Sequence, residues 1–194
     1  MKKNIKIVFN LLVIFFLSAC HVTKVTSDNT GSTLSQKIEI SGFSNLYKVD
    51  AHLYRSEQPD SKGMIELQNL GIGTVLNVRN FKNDEAEIKG TNMELIHLPM
   101  RAAKISYDDM VDALKTIKRS SKKVLVHCKH GSDRTGCIVA AYRMTFCGWT
   151  KEQAINEFLD PRFGYHETWF PNILKLLNTF DIEKLKKDVA ISNQ

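Results

Sequence analysis

The sequence has few cysteines, and their spacing argues against two common kinds of structural site. The four cysteines are Cys20, Cys128, Cys137 and Cys147, and no two of them form a CxxC pair. Disulfide frameworks and structural zinc sites usually show paired cysteines at short spacing. His127 and His130 flank Cys128, but the chain offers this cluster no second ligand pair. We therefore expect neither a disulfide framework nor a bound metal.

A large surplus of positive charge is also missing. The formal net charge is only +6, and three of the lysines that contribute to it lie within the first 20 residues. No stretch interleaves basic and aromatic residues in the manner of a nucleic-acid-binding surface. Hydrophobic residues make up 43% of the chain and charged residues 25%, the balance of a globular domain rather than a disordered chain. We expect no nucleic-acid partner.

The apolar run near the N-terminus is short for a membrane-spanning helix. Residues 5–17 are almost wholly apolar and follow two lysines, which is the pattern of a signal peptide. Leu17-Ser18-Ala19-Cys20 resembles the lipobox of bacterial lipoproteins. The resemblance implies that residues 1–20 are a lipoprotein signal peptide and that Cys20 is lipidated, which attaches the protein to a bacterial membrane. A plain signal peptide, or an uncleaved anchor in which Cys20 is incidental, is the alternative, and each predicts an extracytoplasmic domain.

Residues 21–42 are rich in Ser, Thr, Lys and Asn, which predicts a flexible tether. The folded domain is then expected over 43–187, followed by a tail over 188–194. Within the domain, short apolar runs alternate with amphipathic stretches. Strands are predicted at 46–49, 52–55, 74–79, 93–98 and 123–127, and helices near 61–70, 106–117, 135–147, 150–158 and 172–187. This alternation predicts a three-layer α/β/α domain around a mostly parallel sheet.

Three helix starts carry capping signals. Asp60 or Ser61 precedes the first helix. Ser106 with Asp109, and Thr150 with Gln153, fit the capping box, in which two side chains and two backbone amides satisfy each other.

The stretch from Lys123 to Gly136 combines an apolar run, a cysteine, a short polar loop and the start of an amphipathic segment. It predicts a strand, an anion-binding loop and a helix N-terminus, whose free amides and partial positive charge suit a phosphate dianion. Gly131 lets the backbone fold close to the anion, and Gly136 allows close contact behind the loop. Arg134 supplies a planar fork for two phosphate oxygens. The same positive surroundings favour the thiolate of Cys128, the form that attacks phosphorus.

His127-Cys128-x5-Arg134-Thr135-Gly136 resembles the HCx5R(S/T) signature of cysteine-dependent protein tyrosine and dual-specificity phosphatases. Residues 53–59 resemble the YRSxQP segment of atypical dual-specificity phosphatases of fungi, plants and bacteria. The resemblance implies a protein-tyrosine-phosphatase-like fold and no metal or other cofactor. Cys128 is then the nucleophile, Arg134 and the amides of Lys129, His130, Gly131 and Ser132 bind the phosphoryl oxygens, Thr135 stabilises the leaving thiolate, and His127 orders the loop.

The general acid of this family is an aspartate, usually in the loop after the strand that ends near Pro99. Here that loop, residues 100–104, has no carboxylate. Asp108 and Asp109 follow it, although a helix cap also explains Asp109. Asp133, directly before Arg134, resembles the aspartate proposed as the acid in myotubularin-like and Sac-like phosphatases, but it equally fits a carboxylate that only orders the loop. A good leaving group would need no acid.

The sequence thus predicts a phosphatase that acts through a cysteinyl-phosphate intermediate. Its substrate is either protein carrying phosphotyrosine, phosphoserine or phosphothreonine, or an inositol phosphate or phosphoinositide. Lys129 and His130 on the loop rim are candidates for contacts with further phosphates. Two alternatives stay open: a catalytically inactive phosphate-binding module, and another Cys-loop enzyme such as a rhodanese or an arsenate reductase.

Overall fold

A computed structural model describes residues 34–191 of the chain. Six strands form one sheet: β1 (Gln36–Lys37), β2 (Tyr47–Lys48), β3 (Leu53–Ser56), β4 (Ile72–Asn77), β5 (Glu94–His97) and β6 (Lys123–His127). The strand order is β1-β2-β3-β6-β4-β5. β3, β6, β4 and β5 run parallel, whereas β1 and β2 add an antiparallel hairpin at one edge. The prediction of a mostly parallel sheet is confirmed.

Helices cover both faces of this sheet. They are α1 (Ser61–Asn69), α2 (Tyr107–Arg119), α3 (Asp133–Phe146), α4 (Lys151–Leu159), α5 (Pro171–Thr179) and α6 (Ile182–Ala190). Successive residues of a strand point to opposite faces. In β6, Val124 and Val126 therefore join the core of α2 to α6, while Leu125 joins the smaller core under α1. This explains why β6 reads as a continuous apolar run, as expected for a strand that is buried on both faces. The three-layer prediction is confirmed.

The predicted capping residues are the observed ones. The Asp60 carboxylate accepts a hydrogen bond from the Gly63 amide and begins α1. Capping boxes of Ser106 with Asp109 and of Thr150 with Gln153 begin α2 and α4. Because these signals depend only on residues three positions apart, local sequence was enough to locate them.

The structure differs from the expected boundaries at both ends of the domain. The sheet already includes Gln36–Lys37, inside the stretch 21–42 assigned to a tether. These residues pair with β2 through their backbone, which an apolar pattern cannot reveal. The single helix expected over 172–187 is two helices, because Asp181 caps a new one. That helix continues to Ala190, so the expected tail over 188–194 is helical at its start.

α3 begins at Asp133, two residues before the expected start at Thr135. An acidic residue in the first turn is favoured by the positive end of the helix dipole. Within residues 34–191, no helix is long and apolar enough to cross a membrane. Cys20 and the predicted signal peptide lie outside the described residues.

Candidate active site

The parallel strands bring three chain segments to one edge of the sheet. His127, the last residue of β6, pairs with Ser56 of β3 on one side and with Asn77 of β4 on the other. The residues that follow these strands therefore meet at the carboxyl edge, where open α/β sheets bind ligands. Cys128 comes directly after β6 and is only 1% exposed.

The loop between β6 and α3, residues 128–132, presents a row of unused backbone donors. Among the described residues, no N–H from position 129 to 135 has a protein acceptor, while the Gly136 N–H donates to the Ser132 carbonyl at 2.7 Å. These free amides include the first turn of α3, where the helix dipole adds partial positive charge. The arrangement is an anion-binding cradle beside the Cys128 thiol.

Glycine is required at two positions of the cradle for steric reasons. Gly131 has φ +72°, and a Cβ there would lie 2.6 Å from the Ser56 carbonyl carbon. A Cβ on Gly136 would lie 2.9 Å from the Phe158 ring of α4. Contacts this short are excluded for real side chains without rearrangement. Gly131 therefore lets two backbone segments approach closely, and Gly136 lets the Phe158 ring pack against α3.

A buried arginine, Arg55, stabilises the cradle loop. Its Nη2 donates to the Gly131 carbonyl at 2.7 Å, and the guanidinium lies 4.1 Å from the centre of the Phe163 ring. Burial lowers the pKa of Arg55 to about 10, against the opposing effects of the Glu157 and Cys128 charges. The side chain therefore stays positive at neutral pH. Arg55 is thus a positive charge fixed beside the thiol.

Arg134 and Thr135 both have unused polar atoms. Arg134 is partly exposed, and its Nη1 lies 3.4 Å from the Met100 carbonyl. Within the described part of the chain, neither its Nε nor the buried Thr135 hydroxyl has a hydrogen-bond partner. Donors left free at a cradle are available to an incoming phosphate. Both side chains thus suit the roles that the resemblance implies.

His127 is held by a carboxylate that the sequence analysis did not single out. Its Nε2 lies 2.7 Å from Asp84 Oδ2, and both side chains are fully buried. Its Nδ1 lies 3.2 Å from the Cys128 carbonyl oxygen. Asp84 also accepts hydrogen bonds from the Gln58 and Asn77 side-chain amides, at 2.7 and 2.8 Å. The pair fixes His127 and, through it, the start of the cradle.

No sequence pattern marks Asp84, although its backbone conformation is unusual. Asp84 is the non-glycine residue with positive φ, +67°, among the described residues. It lies in the polar connection 80–90, which has no strand or helix period. A left-handed conformation is tolerated by aspartate, and here it turns the carboxylate inward beneath the cradle.

The segment before the YRSxQP-like stretch also supports the cradle. Asn45 donates from its side chain to the His130 carbonyl at 2.7 Å. Glu57 accepts from the backbone amides of Ser44 and Asn45, which fixes this contact. The Gln58 backbone amide donates to the Lys129 carbonyl at 3.2 Å. The carbonyls of Lys129 and His130 thus accept hydrogen bonds from outside the cradle loop, which leaves the amides of the loop to point inward.

Lys129 and His130 are exposed on the rim of the cradle, as expected. Together with Arg162 they line a shallow surface depression next to the loop. Partial burial, and then the charge of Lys129, lower the pKa of His130. Three basic side chains, together with the carboxylate of Glu57, therefore line a depression beside the cradle loop.

Asp133 is directed to a histidine of a different loop. It is 3% exposed and accepts a hydrogen bond from the His166 backbone amide at 2.9 Å. The His166 Nδ1 lies 3.1 Å from both Asp133 oxygens. The His166 ring in turn stacks on Trp169, with 5.0 Å between ring centres and 7° between planes. Sequence reasoning named Asp133 as a candidate acid or loop-ordering carboxylate.

The other two candidate acids have different contacts. Asp109 bonds the Ser106 amide and hydroxyl in its capping box. Asp108 lines a surface depression with residues of α2 and α6. The expected acid loop forms a short 3-10 turn, Ala102–Lys104, next to Arg134 and without a carboxylate.

Comparison with known proteins agrees with this geometry. The chain is 32% identical over 122 residues to the dual specificity protein phosphatase TpbA of Pseudomonas aeruginosa, covering 62% of this chain and 56% of that relative. It therefore spans just over half the length of that relative. The inositol diphosphatase DSP3 of Arabidopsis thaliana is 25% identical over 171 residues, covering 84% of this chain and 79% of its own.

The fold is similar to solved phosphatase structures. The crystal structure of P. aeruginosa TpbA superposes with a TM-score of 0.74 at 27% identity, covering 83% of this chain and 99% of that one. A complex of TpbA with pTyr gives the same TM-score and covers 84% of this chain. The profile "Dual specificity phosphatase, catalytic domain" matches residues 53–176, more than half of the sequence. The chain therefore belongs to the dual specificity phosphatase family.

Proposed function

We propose that this protein hydrolyses phosphate monoesters through a cysteinyl-phosphate intermediate. The observation that carries the proposal is the buried Cys128 thiol at the start of a loop whose amides, from 129 to 135, have no protein acceptor. Such a site binds a phosphate dianion and favours a thiolate in the same place. Arg134 then gains its strongest contacts as charge develops on the phosphoryl oxygens.

The reaction has two steps. The Cys128 thiolate attacks phosphorus, the bond to the leaving oxygen breaks, and a thiophosphate forms. Water then attacks the thiophosphate, and phosphate and the thiolate are released. The unpartnered Thr135 hydroxyl supplies a hydrogen bond to the sulfur as its negative charge returns.

We propose phosphorylated protein or an inositol phosphate as the substrate. TpbA with bound pTyr supports the first class, and the inositol diphosphatase relative supports the second. The exposed Lys129 and His130 beside the cradle suit a substrate with more than one phosphate. A panel of phosphopeptides and inositol phosphates, assayed by phosphate release, distinguishes the two classes.

Family membership and the intact Cys128 and Arg134 favour an enzyme over an inactive phosphate-binding module. The observation in favour of the module is the missing carboxylate in the loop at 100–104. The test is hydrolysis of an aryl phosphate by the purified protein. We expect Cys128→Ser to lower kcat by at least about 10³-fold. Phosphate binding without hydrolysis by the unaltered protein would support the module.

We also propose that the protein is attached to a bacterial membrane by a lipid on Cys20 and acts outside the cytoplasm. The lipobox-like Leu17-Ser18-Ala19-Cys20 supports this proposal. Mass spectrometry of the membrane fraction should find an acylated N-terminal Cys20. Cys20→Ser should move the protein to the soluble fraction, and unchanged fractionation would contradict lipid attachment.

A further inference from the structure

The proposed reaction leaves one chemical requirement without a residue. An alkoxide or a poor phenolate leaves slowly unless it receives a proton as its bond to phosphorus breaks. The 3-10 turn beside Arg134 contains no carboxylate, Asp109 is engaged in its capping box, and Asp108 lines a depression between α2 and α6. The proton donor must therefore come from another part of the cradle rim.

Asp133 is unsuited to give the proton itself. It is buried, and its oxygens already accept from the His166 backbone amide and face the His166 ring nitrogen. To act as an acid it would first have to take a proton and turn one of these acceptors into a donor. The contacts therefore make Asp133 an acceptor.

We propose that His166 is the general acid of this site and that Asp133 positions it; this proposal rests on the proposed phosphatase function. Asp133 lies in the first turn of α3, directly after the cradle loop, and its partner His166 lies beside the exposed loop residue His130. The ring centre of His166 is 5.6 Å from that of His130 on the rim. The His166 side chain is 33% exposed, as a group that exchanges protons with water must be.

Each atom of the imidazole ring has a defined role. Nδ1 donates to the Asp133 carboxylate, which fixes the tautomer and leaves Nε2 to carry the transferable proton. The ring stacks on Trp169, which restricts its rotation. A histidine that is oriented by a carboxylate through one nitrogen and reacts through the other is a recurrent catalytic arrangement.

The proton balance closes over the two steps. As the Cys128 sulfur bonds to phosphorus, the leaving oxygen takes the Nε2 proton, and His166 becomes neutral. In the second step the neutral imidazole takes a proton from the attacking water, and phosphate and the thiolate are released. His166 thereby returns to its protonated form, and no other reactant is needed.

Several charged groups lie close to the segment of His166. Lys129, Asp133 and Arg134 act on the neighbouring ring of His130, and Glu167 and Asp133 act on Tyr165. Of these, Asp133 is the one within hydrogen-bond distance of the His166 ring.

The test compares two aryl phosphates, p-nitrophenyl phosphate with a good leaving group and phenyl phosphate with a poor one. We expect His166→Asn to lower kcat on phenyl phosphate by about 10²-fold or more and to change kcat on p-nitrophenyl phosphate far less. The fall in kcat at high pH on phenyl phosphate, where the imidazole has lost its proton, should disappear. His52→Asn is the matched control, because His52 bonds the Ile117 carbonyl at the other end of the sheet.

Asp133→Asn tests the positioning role. The amide keeps the size of the side chain but removes the charge, so we expect a smaller loss on phenyl phosphate and a high-pH limb moved to lower pH. Equal losses on both substrates with an unchanged pH profile, in both variants, would overturn the proposal. If the unaltered protein hydrolyses neither aryl phosphate, the phosphatase function itself fails; if it hydrolyses both and only the His166 result is negative, only this inference fails.

Discussion

Two carboxylate–histidine pairs flank the same loop, and they differ in exposure. Asp84 and His127 lie beneath the cradle with both side chains fully buried. Asp133 and His166 lie at its entrance, with the His166 side chain 33% exposed. A buried pair has fixed partners and no route to water, so it can only hold the loop. A pair that reaches solvent can exchange protons with it.

The surroundings of the two pairs agree with this division. Asp84 also accepts hydrogen bonds from the side-chain amides of Gln58 and Asn77. Its network therefore joins β4, β6 and the segment after β3. Asp133 contacts the backbone amide and the ring nitrogen of a single residue, His166. Residues in one buried polar network depend on one another, and removing one of them leaves the others unpaired. We therefore expect stability to depend on the buried pair and catalysis on the exposed one.

Breaking the buried pair should have the largest effect on stability. Asp84→Asn turns an acceptor into a donor that faces the donors of His127, Gln58 or Asn77. Asparagine tolerates the left-handed backbone at this position, so the change isolates the charge. We expect the free energy of unfolding to fall by about 3–5 kcal/mol in urea titrations followed by circular dichroism. Asp108→Asn, at an exposed aspartate, is the control, and a similar effect in both variants would contradict the assignment.

Displacing the cradle loop, which lies between the two pairs, should have the second-largest effect on stability. Gly131→Ala adds a Cβ 2.6 Å from the Ser56 backbone at a left-handed φ. We expect a loss of about 2–3 kcal/mol, from strain and overlap together, with lowered aryl phosphatase activity. Gly148→Ala is the matched control, because Gly148 has a similar φ of +70° with nothing within 4 Å of the added Cβ. If the two variants were equally stable and active, the close approach at Gly131 would be unimportant.

A third buried carboxylate, Glu157, makes the stability of the protein depend on pH. Burial would raise the pKa of Glu157, but hydrogen bonds and charge from Arg143, and bonds from Ser35, outweigh it and lower the pKa. A lowered pKa means that this contribution to stability is present above the ordinary carboxyl pKa and is lost as pH falls through the lowered one. Urea titrations from about pH 7 to pH 3 should show this loss. Glu157→Gln should be less stable at neutral pH and show a weaker decline.

Breaking the exposed pair should change stability least. For Asp133→Asn we expect a loss of only about 1 kcal/mol, since the amide oxygen still accepts from the His166 backbone. The same variant should alter the pH profile of kcat on a poor leaving group, so stability and catalysis would separate. A loss as large as that of Asp84→Asn would remove the distinction between the pairs. Thermal unfolding of the two variants side by side measures it directly.

Much of the fold was predictable because its signals are local. The apolar run of β6, the capping residues Ser106 and Thr150, and the turn between β2 and β3 each depend on neighbours within a few positions. β1 escaped prediction because its two residues are polar and exposed, and they join the sheet only through backbone bonds to β2. Edge pairing of this kind depends on where the partner strand lies, which a hydrophobic pattern does not encode.

The site divides in the same way. Cys128, Arg134 and the two glycines could be named because a phosphate-binding loop is one continuous segment. Asp84 and His166 could not be given their roles, because each lies more than 30 positions from its partner, in a segment without a regular period. For Asp133 the sequence left an acid and a loop-ordering carboxylate as alternatives, and its contacts with His166 favour an acceptor.

The amino-acid sequence by itself determined the chemistry of the loop: a thiol, a row of amides and a guanidinium in fixed order from Cys128 to Arg134. A strand, a tight loop and a helix start are specified by residues that are neighbours in the chain. The tertiary structure alone decided which carboxylate meets which histidine. The parallel strands bring Asp84, after β4, to His127 of β6, and the packing of α4 against α3 brings His166, in the segment after α4, to Asp133. That distinction separates the residues that hold the cradle from the one we propose as its acid.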